Sequence, residues 1–204
     1  MKNVVKILSI LLFCLLGSFS STDTQSYKIS KVVIDAGHGG QDGGALGKSS
    51  QEKNITLQIA LQLGRLIKEQ MKDVQVIYTR QKDAFVALHD RAKIANRNNA
   101  DLFISIHCNA DSKGSAARGA ETYTMGLHTS RHNLAVAKKE NSVILLEKDN
   151  QKHYEGFDPQ SPESHILLSL YQNGHNDYSL KLAQSILHQF ERRVGLKSRG
   201  VKQA

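Results

Sequence analysis

Val32-Val33-Ile34-Asp35-Ala36-Gly37-His38-Gly39-Gly40-Gln41-Asp42-Gly43-Gly44-Ala45 decides how the rest of the chain is read. Val32 to Ala36 is a short apolar, β-branched run stopped by glycine, the pattern of a buried strand. His38 then stands among five glycines. Glycine lets the backbone turn sharply and lets other groups approach closely, so His38 is displayed where a strand gives way to a loop. In open α/β sheets that edge is where ligands bind. A glycine-rich turn whose histidine merely faces solvent has the same local pattern, and the rest of the chain has to separate the two.

Working outward, Glu52 to Met71 reads as a helix with Ile55, Ile59, Leu63 and Ile67 as its buried stripe, and Ser49 and Glu52 have the spacing of a capping box. Val74 to Thr79 predicts a second strand, and Val86 to Asn98 a second helix with Leu88, Ala92 and Ala95 inward. Leu102 to His107 predicts a third strand, again with a histidine at its C-terminal end. This βαβαβ order predicts a three-layer α/β fold: a mostly parallel mixed sheet with helices on both faces. Gly119 to Met125 reads as a fourth strand toward the side of that sheet, and Arg131 to Glu147 as a helix. Lys148 to Glu163, acidic and holding both prolines, reads as a surface excursion. Ser164 to Val194 carries a helical pattern interrupted around Asn173-Gly174-His175.

The 204 residues suit one domain, here residues 31–204. The first twenty residues stand apart. Lys2 and Lys6 precede an apolar run from Ile7 to Leu16, and small residues follow through Ser18 and Ser20. That is the layout of a secretory signal peptide, and the run is shorter than the roughly 20 residues a membrane-spanning helix needs. The sequence therefore predicts export to the periplasm or cell envelope without a stable membrane span. Loss of Lys2 and Lys6 takes the net charge from +8 to +6, and only Cys108 remains of the two cysteines, so no intramolecular disulfide is expected. A basic exported surface fits anionic envelope polymers. The lysines are scattered, with no basic stripe interleaved with aromatics, so nucleic acid is not an expected partner.

His38 after the first strand, Glu52 at the start of the first helix and His107 at the end of the third strand fall at one edge of such a sheet. Two histidines and a carboxylate form a common ligand set for catalytic zinc. Each has a local alternative: Glu52 as part of a capping box, His107 as a satisfied histidine at a strand end. Asp35 is read either as a partner of a ligand histidine or as a strand-end acid bonding loop amides. Asn109 is a candidate substrate contact, and Cys108 a small packed residue.

Asp35-Ala36-Gly37-His38-Gly39-Gly40 with Asp42 and Gly43-Gly44-Ala45, Glu52-Lys53-Asn54, Thr79-Arg80, Arg91 with Ile94-Ala95-Asn96, Ser105-Ile106-His107-Cys108-Asn109-Ala110 and Arg199-Gly200-Val201-Lys202-Gln203 follow in order. Together they resemble the zinc-dependent N-acetylmuramoyl-L-alanine amidases of amidase type 3. The resemblance implies a fold like that of zinc exopeptidases and zinc held by His38, Glu52 and His107. It also implies hydrolysis, in peptidoglycan, of the amide between N-acetylmuramic acid and the L-alanine of the stem peptide. In that family a further strand follows the Arg-Gly-Val-Lys-Gln segment and bears a glutamate that acts as general base and acid. The sequence ends at Ala204, so the resemblance implies that this C-terminal strand is missing here, and Glu121 is the nearest substitute by sequence order. In some relatives a helix covers the zinc until an activator protein displaces it. Arg131 to Glu147 and the acidic excursion after it occupy the comparable place, with Glu140 or Glu147 as acids that would reach the metal; a solvated helix face explains the two acids as well. Two other functions fit the same residues: a catalytically impaired wall-binding protein, and another zinc peptidase acting on the cell wall.

Overall fold

The computed structural model describes residues 28–110, 118–125, 131–147 and 176–203. The predicted signal peptide, the excursion at Lys148 to Glu163 and the first part of the pattern beginning at Ser164 lie outside the described residues.

Strands β1 (Lys31–Ala36), β2 (Gln75–Tyr78) and β3 (Leu102–Ile106) form a parallel sheet in the order β2-β1-β3. Helix α1 (Glu52–Gln70) joins β1 to β2, and α2 (Leu88–Arg97) joins β2 to β3. The central strand is buried on both sides. Val32, Ile34 and Ala36 pack with Ala60 of α1, while on the opposite face Asp35 is bound by Arg91 of α2. The two helices therefore cover opposite faces of β1, which makes the unit three-layered and α/β as the alternating pattern predicts.

The register places Ile34 beside Ile104 and Ala36 beside Ile106, and Gly37 continues the ladder by donating its N–H to the Ile106 carbonyl at 3.0 Å. His38 and His107 thus leave the sheet at the same edge.

Several details depart from expectation. The buried face of α1 is Glu52, Thr56, Ala60 and Gly64, and Ile59 is exposed. The cause is close approach: a Cβ on Gly64 would stand 1.9 Å from the Tyr78 hydroxyl, so small residues lie against the sheet while larger ones flank them. The capping box is absent. Gln51 is the N-cap without a side-chain bond, and Glu52 is buried for another purpose. In α2 the buried residue is Arg91, while Ala92 faces outward, because the guanidinium reaches the Asp35 carboxylate.

Strand β4 (Ala120–Thr124) does not join the three-stranded sheet. It pairs in parallel with β5 (Ser198–Gln203), a strand the sequence does not announce, since Val201 is its single large apolar residue. Helix α4 (Asn176–Gln189) packs on both strands through buried Ala183 and Leu187, and ends in a π-turn at Phe190–Val194. The predicted helix at Arg131 to Glu147 is helix α3 (Arg131–Asn141) continued by a 3₁₀ turn at Ser142–Leu146.

Candidate metal centre

His38 sits in the left-handed region at φ 62°, in the loop beyond β1. Two buried arginines fasten that loop. Arg91 donates to the carbonyls of Ala36 at 2.9 Å and His38 at 2.9 Å, and Arg80 to those of Ala36 at 2.9 Å and Gly37 at 2.8 Å. The Asp35 carboxylate accepts from Arg91 at 2.6 Å, Thr79 at 2.7 Å and Ser105 at 2.7 Å. Asp35 therefore partners neither a ligand histidine nor the loop amides. Burial raises its pKa, but Arg91 and the two hydroxyls outweigh that and hold it below the usual carboxylate value.

The partner of the His38 ring is Asp42, whose Oδ2 lies 2.8 Å from Nδ1 and whose Oδ1 accepts from the Gly44 N–H at 3.1 Å. A carboxylate on Nδ1 fixes the ring and turns Nε2 inward. Sequence reasoning did not single out Asp42 for this part; the signal was its place four residues after the histidine in the same glycine-rich loop. Glu52 is clamped in the same manner. Its Oε2 accepts from Ala45 N–H at 2.8 Å and its Oε1 from Cys108 N–H at 2.6 Å.

His38, Glu52 and His107 come together, and Glu140 of α3 joins them, one donor atom of each lying within 4.8 Å of the others. His38 Nε2 is 3.1 Å from His107 Nδ1, 3.1 Å from Glu52 Oε1 and 3.3 Å from Glu140 Oε2. His107 Nδ1 is 3.1 Å from Glu52 Oε1 and 2.9 Å from Glu140 Oε2. A tetrahedral ion with ligands at about 2.0–2.1 Å has donor-to-donor edges of about 3.3 Å. These five edges lie close to that figure. Both Glu140 oxygens are buried yet accept no hydrogen bond, so Oε2 stands against the two imidazole nitrogens without the angles a hydrogen bond requires. Donors converging on one point at this spacing fit a metal ion.

The electrostatics agree. Burial pulls the His38 pKa down, but Asp42, Glu140 and Glu52 carry it up to about 11. Burial likewise opposes His107, which Glu140 and Glu52 raise to about 9. Glu140 is held at about 2 by the two imidazoles against its own burial, and Glu52 is depressed by the same rings and the two amides. The set strongly favours cation next to anion, and a divalent ion supplies that cation without protons.

The other candidates lie elsewhere. Glu147 accepts from the Leu88 N–H at 2.6 Å and pairs with His89 at 3.0 Å, anchoring the end of the 3₁₀ turn to the start of α2. Glu121 is outside the four-donor group. It binds Lys202, Asn109 and the Tyr123 hydroxyl, which outweigh its burial and hold its pKa at about 2.

A family model described as N-acetylmuramoyl-L-alanine amidase matches residues 32–204. The chain belongs to that amidase family. It is 33% identical over 178 residues to the N-acetylmuramoyl-L-alanine amidase AmiA of Escherichia coli (strain K12), covering 85% of this chain and 58% of that one. Identity to an amidase of Buchnera aphidicola is 30% over 166 residues, covering 81% of this chain and 69% of that one. Among solved structures, the amidase AmiC2 of Nostoc punctiforme aligns at 27% identity with a TM-score of 0.48, covering 85% of this chain and 68% of that chain. The chain spans 31% and 58% of the length of two of the curated relatives it matches, in Bacillus subtilis and E. coli. Among the described residues no helix is long and apolar enough to cross a membrane.

Proposed function

We propose that the protein is a zinc-dependent N-acetylmuramoyl-L-alanine amidase acting on peptidoglycan in the cell envelope, with residues 1–20 as its export signal and 31–204 as its catalytic domain. The observation that carries this reading is the converging set of His38 Nε2, His107 Nδ1, Glu52 Oε1 and Glu140 Oε2 in a chain of this family. His38, Glu52 and His107 hold the ion from the sheet edge. Zinc, when bound, supplies Lewis-acid chemistry toward water and the amide carbonyl.

The chain's own residues set the rest. Asp42 holds His38 by its Nδ1, and the Ala45 and Cys108 amides keep Glu52 ionised and aimed. Glu140 arrives from a separate helix and would be a fourth donor to the ion, at the place water or substrate would otherwise use. In this reading α3 is a cover that an activator protein displaces. Glu121, the nearest substitute for the family's general base by sequence order, is a poor proton acceptor near neutrality because its carboxylate is salt-bridged.

The test is metal analysis of the purified chain together with mass spectrometry of peptidoglycan digests. The expected result is about one zinc per chain and release of stem peptides with L-alanine at the amino end. Products cut between sugars or inside the peptide would overturn the assignment.

A further inference from the structure

Beside Glu52 lies a pocket of about 180 Å³ lined by Ala45, Leu46, Ser50, Ile55, Asn109 and Ala110, among others. Apart from Glu52, Ser50 and Asn109 its walls are small or apolar, and among the described residues that line it there is no cation. Asn109 belongs to two places at once: it lines this pocket, and its Nδ2 donates to Glu121 Oε1. Behind Asn109, Glu121 is shared by Lys202 and by Arg199, whose Nε stands 3.4 Å away. Two cations share one carboxylate, so the group carries one net positive charge. Among the described residues the Nη groups of Arg199 take no partner, and its side chain is 37% exposed. The arginine is nevertheless held in place. A Cβ on Gly119, at φ +133°, would meet Lys197 O at 2.3 Å and Arg199 Cγ at 3.1 Å, so the Arg199 stem lies directly on that backbone.

We propose that Arg199, with Lys202 behind it, binds the carboxylate of an acidic second residue in the stem peptide. This inference rests on the amidase reading above. The small first residue of the peptide occupies the apolar pocket next to the metal donors. Its following amide meets Asn109, and the chain then reaches the cationic group. The sugar side cannot use this path to the same profit, because it has no anion to offer Arg199. A planar guanidinium with free Nη groups is matched to a carboxylate, which it binds through two parallel hydrogen bonds.

The test is calorimetric titration of the zinc-loaded full chain carrying Glu140→Gln, which keeps the covering helix from competing. The two ligands are the product-side peptides L-alanyl-D-glutamate with the γ-carboxyl capped as a methylamide and the α-carboxylate free, and the same γ-capped peptide with the α-carboxylate as a carboxamide, neither of which holds the amide the enzyme would cut. The carboxylate form is expected to bind about tenfold tighter, a preference that shrinks as salt is added. Arg199→Gln is expected to bind both equally, at the affinity the parent shows for the carboxamide, which also reports that the variant is folded. Arg199→Lys is expected to keep part of the preference, because it keeps the charge. Equal binding of the two ligands by the parent, or a preference that survives Arg199→Gln, would overturn the role of Arg199 and leave the amidase reading standing. Binding of neither ligand would instead count against the amidase reading itself.

Discussion

Two glycines set where the imidazoles of the metal centre sit. A Cβ on Gly37 would stand 2.4 Å from His107 Cε1, and one on Gly44 would stand 2.6 Å from His38 Cδ2. Gly37 does not have a left-handed backbone, so alanine is conformationally permitted there and its effect falls on the ring beside it. Gly37→Ala is therefore expected to lower zinc affinity by about tenfold or more while leaving the far-ultraviolet circular dichroism unchanged; competition with a chromophoric chelator measures the first. At this scale the sequence was informative where a residue followed an element boundary. His38 and His107 end strands and Glu52 begins a helix, so spacing alone brings them to one edge. Asp35 misled because its partners, Arg91, Thr79 and Ser105, come from three distant segments. No local pattern encodes such a junction.

At the scale of elements, the segment from α3 through the 3₁₀ turn is fastened at two points. Glu140 enters the metal centre, and Glu147, buried, caps α2 through the Leu88 N–H and His89. Glu147→Ala removes an acceptor from a helix N-terminus and is expected to cost about 1 kcal/mol there. On the proposed reading, in which this segment covers the site, it also frees one end of that cover, so amidase activity on sacculi without any activator is expected to rise relative to the parent, as dye-release assays would read. Unchanged activity with lowered stability would mean that Glu147 only caps α2. The helical pattern of this segment was legible, and its two acids were singled out as the ones to watch. Which acid meets the metal is decided by where the chain docks, which periodicity does not contain. Strand β5 was illegible for the opposite reason: a polar strand paired with a partner some eighty positions earlier carries little signal of its own.

Over the whole molecule, the paired acids make the fold sensitive to low pH. Asp35 and Glu121 both have folded-state pKa values below their ordinary ones. A depressed carboxyl pKa contributes stability that is present above the unfolded value near 4 and lost as pH falls through the folded value. The urea midpoint is thus expected to drop steadily below about pH 5. Asp35→Asn, which leaves Arg91 buried without its counter-charge, is expected to cost about 3–5 kcal/mol at pH 7 and to flatten the part of the acid dependence due to this carboxyl. A variant as stable as the parent at neutral pH would show that the pair is not coupled to folding.

The arginines that grip the His38 loop have one more consequence, which concerns the order of events. The carbonyls of Ala36, Gly37 and His38 are fastened by Arg80 and Arg91, groups more than forty positions away that arrive only when β2 and α2 have docked against β1. The sheet-edge donors are therefore aligned by the completed α/β unit, and a bound ion would find them already in place. A chain stripped of metal is therefore expected to keep its architecture, read as an unchanged far-ultraviolet circular dichroism spectrum after chelation, unlike small domains in which the ion is what the polypeptide folds around.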